Sequence, residues 1–117
     1  MMSFEEVLLE AIDDGFSWLG ESEKQSIYCY LEKKYRISKQ DIPYRIDDFT
    51  YALESIFGVG AKLVEIRIMK RLFSKIGKSF PDFDAQKGLE FIEYIKTARV
   101  NWNRRGYFKK NFVYVSH

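Results

Sequence analysis

One cysteine, Cys29, and one histidine, His117, are present in 117 residues. A single thiol cannot form a disulfide within the chain, and one His with one Cys cannot complete a zinc site. Nothing around Cys29 is built to lower a thiol pKa, so nucleophilic catalysis is not expected either. The adjacent pairs Asp13-Asp14 and Asp47-Asp48 point apart on a helix and suit capping or solvation better than acid–base work. Apolar runs are short, and none approaches the roughly 18 residues of a transmembrane helix. The stretch MMSFEEVLLEAIDD is acidic where a signal peptide carries positive charge, so a soluble cytoplasmic protein is the expectation. Repeats and low-complexity segments are absent. The GVG at 58–60 lacks the longer glycine pattern and the Lys-Ser/Thr ending of a phosphate loop. These absences predict a non-enzymatic chain with no catalytic residue, cofactor, metal site or evident small-molecule substrate, and no membrane contact.

What is present is a globular balance. Hydrophobic residues at 46% and charged residues at 31% support one domain over 1–117. Ten Phe and eight Tyr require either a dense core or an aromatic contact surface. The net charge of +2 conceals a gradient. Residues 1–23 contain seven acids and no Lys or Arg, whereas residues 94–117 contain six Lys or Arg and no acid. Solvated helix faces of different charge, an anionic partner at the basic end, and head-to-tail association each account for it.

Periodicity predicts an all-α bundle of four or five helices with an extended C-terminal arm. In the first helix, Phe4, Val7, Leu8, Ala11, Ile12, Gly15, Phe16 and Leu19 form one stripe, Ser3 and Glu6 form a capping box, and Gly20 is the stop. A second helix capped by Ser22 places Ile27, Tyr28, Leu31 and Tyr35 on one face and Cys29 off it. The short turn between the two predicts an antiparallel hairpin. Ser38 and Asp41 frame a short turn, and Pro43 biases Ile42 towards extended backbone. Asp47 is placed as the cap of a third helix with Phe49, Leu53, Ile56 and Phe57 inward. After the GVG corner, a fourth helix runs from about Ala61 to Ile76. Its apolar arc is wider than a surface helix needs, which places it at the centre. Residues 78–105 are a linker and an additional helix, capped by Asp84. Gly88, Phe91, Ile92, Ile95, Ala98 and Trp102 line one side of it, with Leu89 and Val100 off that side. Gly106 ends it, and 106–117 is expected as an extended arm.

Residues 5–77 resemble a small archaeal family, the nitrosopumilus output domain. Leu19-Gly20, Ile27-Tyr28, Ile42-Pro43, Phe57-Gly58 and Gly60-Ala61 carry the likeness through their order and spacing. The resemblance implies an all-helical module attached to archaeal regulatory or sensory chains. It implies no catalytic residues. Residues 78–117 extend beyond it.

Two sets of charged residues stand out. Arg67, Arg71, Lys75 and Lys78 make one helical stripe, and Arg99, Arg104, Arg105, Lys109 and Lys110 make a second cluster interleaved with Trp102, Tyr107 and Phe108. Guanidinium groups beside exposed aromatics suit phosphate contact and base stacking. Glu65 falls among the inward residues of the fourth helix, where a buried carboxylate needs a partner. The expectation is a structural latch, with Glu65 hydrogen-bonded to Tyr28 or Tyr35, and Arg45 as a third partner. The function expected is a helical interaction or signalling-output module acting through protein–protein contact, as a homodimer or with another protein. The alternative is an accessory nucleic-acid-binding protein that uses the two basic sets.

Overall fold

A computed structural model describes residues 2–76 and 90–115, with side chains as far as Asn103. Within it the chain is helical throughout: α1 (Phe4–Phe16), α2 (Glu21–Tyr35), α3 (Ile46–Phe57), α4 (Ala61–Ile76) and α5 (Phe91–Val115). Short 3-10 turns at Ser17–Leu19, Lys39–Tyr44 and Gly58–Gly60 join the first four. No strand occurs among the described residues.

The start of α1 follows from its sequence. Ser3 Oγ accepts from the Glu6 backbone N–H at 3.1 Å, and the Glu6 carboxylate accepts from the Ser3 N–H at 3.2 Å. The apolar stripe behind this box is buried along its length, from Phe4 to Phe16. Its main partner is α4, and the two run antiparallel, since Asp14 meets Arg71 while Glu10 meets Lys75. They approach closely at Gly15, where a Cβ would sit 2.5 Å from Ile68 Cγ1.

The expected α1–α2 hairpin does not form as a packed pair. The 3-10 turn and Gly20, whose φ of +99° a side chain would strain, redirect the chain. α2 then meets the last turn of α1, where the Tyr28 ring packs edge-on against Phe16 at 5.8 Å. Two expected caps also move, each by two residues. α2 starts at Glu21 after Gly20, and α3 starts at Ile46 after Arg45, neither with a side-chain cap, so Ser22 and Asp47 lie inside first turns. Their charge and polarity still suit that end of a helix. Pro43 sits inside a 3-10 turn and leaves Ile42 helical, because the ring's fixed φ is compatible with so tight a turn.

α4 is central, as its wide apolar arc requires. It buries Ala61, Val64, Glu65, Ile68, Met69, Leu72 and Ile76 and packs against α1, α3 and α5. Phe16 anchors an aromatic cluster, 6.4 Å from both Phe49 and Phe57, and Phe49 reaches Phe91 of α5 at 6.4 Å. On α5, Phe91, Ile95 and Ala98 are buried, Ile92 and Trp102 pack at the margin, and Val100 is exposed as expected. The helix continues through Gly106 to Val115, which corrects the extended arm. One internal glycine costs a helix only about 1 kcal/mol relative to Ala and is no obligatory stop. Asp84, Gly88 and Leu89 lie outside the described residues.

Candidate interaction surface

The basic stripe of α4 is not an open cationic row. Arg71 pairs with Asp14 at 3.1 Å, and Lys75 reaches Asp14 at 3.2 Å and Glu10 at 3.3 Å. Arg67 lies over the Trp18 ring, 4.8 Å from its centroid. Trp18, Asp14 and Glu10 therefore descend one side of a seam while Arg67, Arg71 and Lys75 ascend the other, each a helical turn apart. The counter-charges that α4 lacks in its own sequence come from α1. The Lys75 ammonium is held above the usual lysine range: burial opposes this, but hydrogen bonds to Asp14 and Glu10 prevail. Arg99 is spent in the same way. It pairs with Glu5 at 3.2 Å, donates to the Pro43 carbonyl at 2.7 Å and covers the Phe4 ring. Thus the acidic N-terminal segment and the basic residues far along the chain meet within one molecule. Lys78 lies outside the described residues, as do the side chains of Arg104, Arg105, Lys109 and Lys110 together with Tyr107 and Phe108.

The Glu65 latch is also corrected. Tyr28 donates its hydroxyl to Asp13 at 3.0 Å, Tyr35 packs between two other tyrosines, and Arg45 bonds Asp48 and the Arg36 carbonyl. Glu65 is 6% exposed and has no hydrogen bond or ion pair among the described residues. Burial raises its carboxyl above the usual range, Glu54 and Glu90 add to that, and Lys62 opposes it. The helix face was placed correctly. The partner was not, because Glu65 faces Glu54 of α3 and Glu90 ahead of α5, while Tyr28 turns to Asp13 of α1. Asp13 is the latch that the sequence pattern missed. It accepts from the buried Lys24 at 2.9 Å and from Tyr28, with Lys39 at 3.3 Å, and so ties α1 to α2 and to the Lys39–Tyr44 turn. Burial pushes its carboxyl up, but the bonds from Lys24, Tyr28 and Lys39 outweigh this and hold it below the usual range. The shallow depression lined by Leu9, Glu10, Asp13, Asp14 and Lys39, about 250 Å³, is thus walled by carboxylates already engaged.

Apart from these ion pairs, α2 and α3 present an aromatic array. Tyr35 of α2 stands edge-on to Tyr30 at 6.0 Å and to Tyr51 of α3 at 6.5 Å. Tyr30 is 42% exposed and Tyr51 67% exposed. The Lys34 ammonium lies 5.4 Å from the Tyr30 ring and 5.7 Å from the Tyr35 ring. Beside them, Ser26, Ile27, Tyr30, Ser55 and Ile56 line a groove of about 370 Å³ between α2 and α3. α2 and α3 are antiparallel here, since Tyr35 meets Tyr51 while Ile27 shares the groove with Ile56. Tyr30, Lys34 and Tyr51 were not singled out from sequence. Their signal was two tyrosines lying outside the apolar stripes of both helices. Among the described residues no cluster of three or more His, Cys, Asp or Glu is disposed to hold a metal, and no helix is long and apolar enough to cross a membrane.

No protein-family model, curated protein or solved structure matches the chain. The likeness of residues 5–77 to the output-domain family rests on its sequence motifs alone.

Proposed function

We propose that the chain is a non-enzymatic helical interaction module that works by protein–protein contact at the tyrosine face of α2 and α3. The observation that carries this is the array of exposed Tyr30 and Tyr51 about half-buried Tyr35, with its adjoining groove. Tyrosine gives large contact area at low conformational cost and is enriched where proteins meet. The array lies apart from the ion pairs that join α1 to α2, α4 and α5. The archaeal output role, at the end of a regulatory assembly in the cytoplasm, is proposed on the resemblance of residues 5–77. A dimer is proposed on the surplus of aromatic surface. For the nucleic-acid alternative, Arg71, Lys75 and Arg99 pair with carboxylates of the same chain, which would compete with phosphate for them.

The test is a photo-crosslinking amino acid placed at Tyr51 in living cells, with Ser74 of α4 as the control position. A protein adduct at Tyr51 that is absent at Ser74 and lost on Tyr30→Asp is the expected result. A nucleic-acid adduct, or equal labelling at the two positions, overturns the reading.

A further inference from the structure

Along α2, Glu23, Ile27, Tyr30 and Lys34 are spaced four, three and four residues apart. That is the spacing of a helix seam, repeating every three and a half residues. None of the four belongs to the inward row of α2, which is Lys24, Tyr28 and Leu31. Glu23, Tyr30 and Lys34 are exposed, and Ile27 is half-buried at the edge of the groove. The order of the four is self-complementary. Glu23 and Lys34 are equidistant from the midpoint between Tyr28 and Cys29, and so are Ile27 and Tyr30.

We infer that the occupant of this surface is a second copy of the same chain, docked with its α2 antiparallel about a two-fold axis at that midpoint. The inference rests on the protein-contact reading of the tyrosine face and names its partner. In this arrangement Ile27 of each copy meets Tyr30 of the other, and the groove receives that ring. Glu23 of each copy meets Lys34 of the other, so both ends of the seam close with opposite charge. A closed two-fold contact is isologous: every pair occurs twice, and charge reversal is felt twice. A parallel pairing would set Glu23 on Glu23 and Lys34 on Lys34, so the charge order selects the antiparallel one. Cys29 lies on another side of the helix and takes no part, which fits its exposure.

Sedimentation equilibrium of the full chain and its variants tests this. The parent protein should dimerise, and Glu23→Lys or Lys34→Glu alone should weaken the dimer by about tenfold or more. The double variant E23K/K34E should recover it. An equimolar mixture of the two single variants should recover it as a heterodimer, since each then supplies the charge the other lacks. Recovery in both arms also shows that the single variants are folded. Single variants that dimerise as well as the parent, or a double variant that stays weak, overturn the inference. So does a parent that is monomeric at high micromolar concentration. If a monomeric parent still yields a Tyr51 adduct with a different protein in cells, the interaction-module reading survives while the self-pairing falls.

Discussion

Replacing Glu65 with leucine should stabilise this protein. The residue is 6% exposed, and its carboxylate has no hydrogen-bond or ion-pair partner among the described residues. Its oxygens keep some contact with solvent, so the cost lies below the several kcal/mol of a fully buried, unpaired carboxylate. The compensations are small. Glu65 is the fifth residue of α4, so the helix N-terminus offers it no more than the low end of about 0.3–1 kcal/mol. Lys62, one turn back, adds about 0.2–0.5 kcal/mol, and Glu54 and Glu90 act against it. Leucine fills a similar volume without the charge, so a gain of about 1–3 kcal/mol at pH 7 is expected. At about 4 °C per kcal/mol for a chain of this size, that raises Tm by about 4–12 °C. The sign with pH is also fixed. The folded-state pKa of Glu65 is raised, so its penalty is absent below the unfolded value near 4.5 and develops as pH rises through the folded value. Urea unfolding of parent and Glu65→Leu should therefore show a gap at pH 7 that narrows towards pH 4. Comparing the two proteins cancels Asp13 and Asp14, whose lowered pKa values act in the opposite sense. A parent more stable than the leucine variant at pH 7, or a gap indifferent to pH, would refute this account of Glu65.

Gly15→Ala sets about 1 kcal/mol of helix propensity against an overlap with Ile68 that costs about 1–3 kcal/mol, so thermal unfolding should show a net loss. A more stable alanine variant would mean that α1 and α4 are farther apart than described. Asp13→Asn should cost about 1–2 kcal/mol after allowance for its partial exposure, read from urea midpoints, and should loosen α2 before α5 in hydrogen exchange. Because Asp13 and Asp14 are held below the usual range, the stability they supply is complete above about pH 4 and is lost as pH falls through their folded values. Ser3→Ala should cost about 1 kcal/mol through loss of the capping box, and Ser3→Asp should recover most of it.

The helices and their inward faces were legible because they depend on near neighbours. Ala61–Ile76 has the bounds its periodicity predicts, and the Ser3–Glu6 box is where the S-x-x-E pattern puts it. Pairing between helices was less legible, since one apolar stripe fits any other. Adjacency in sequence suggested α1 with α2, but the close approach allowed by Gly15 and the charge register settle α1 on α4. That register was in the sequence: Glu10 and Asp14 have the same spacing as Arg71 and Lys75, with opposite sign and inverted order. Weighing the stripe on α4 alone made it resemble a free anion site. The caps at Gly20 and Arg45 were missed because backbone geometry, and no side-chain bond, starts those helices. Gly106 reads as an end because glycine often closes a helix and the aromatic and β-branched residues after it favour extended backbone.

The antiparallel seat of α1 on α4 also sets a clock for the newborn chain. Asp14 waits for Arg71, 57 residues later, and Glu10 waits for Lys75, 65 residues later. At a synthesis rate of about 5–20 residues per second, 57 residues take roughly 3–11 s. Throughout that interval the apolar stripe of α1 has left the ribosome ahead of the surface that will cover it. Slow translation between α1 and α4 would prolong its exposure to chaperones and to other nascent chains, so the yield of folded protein should respond to codon speed over residues 17–60.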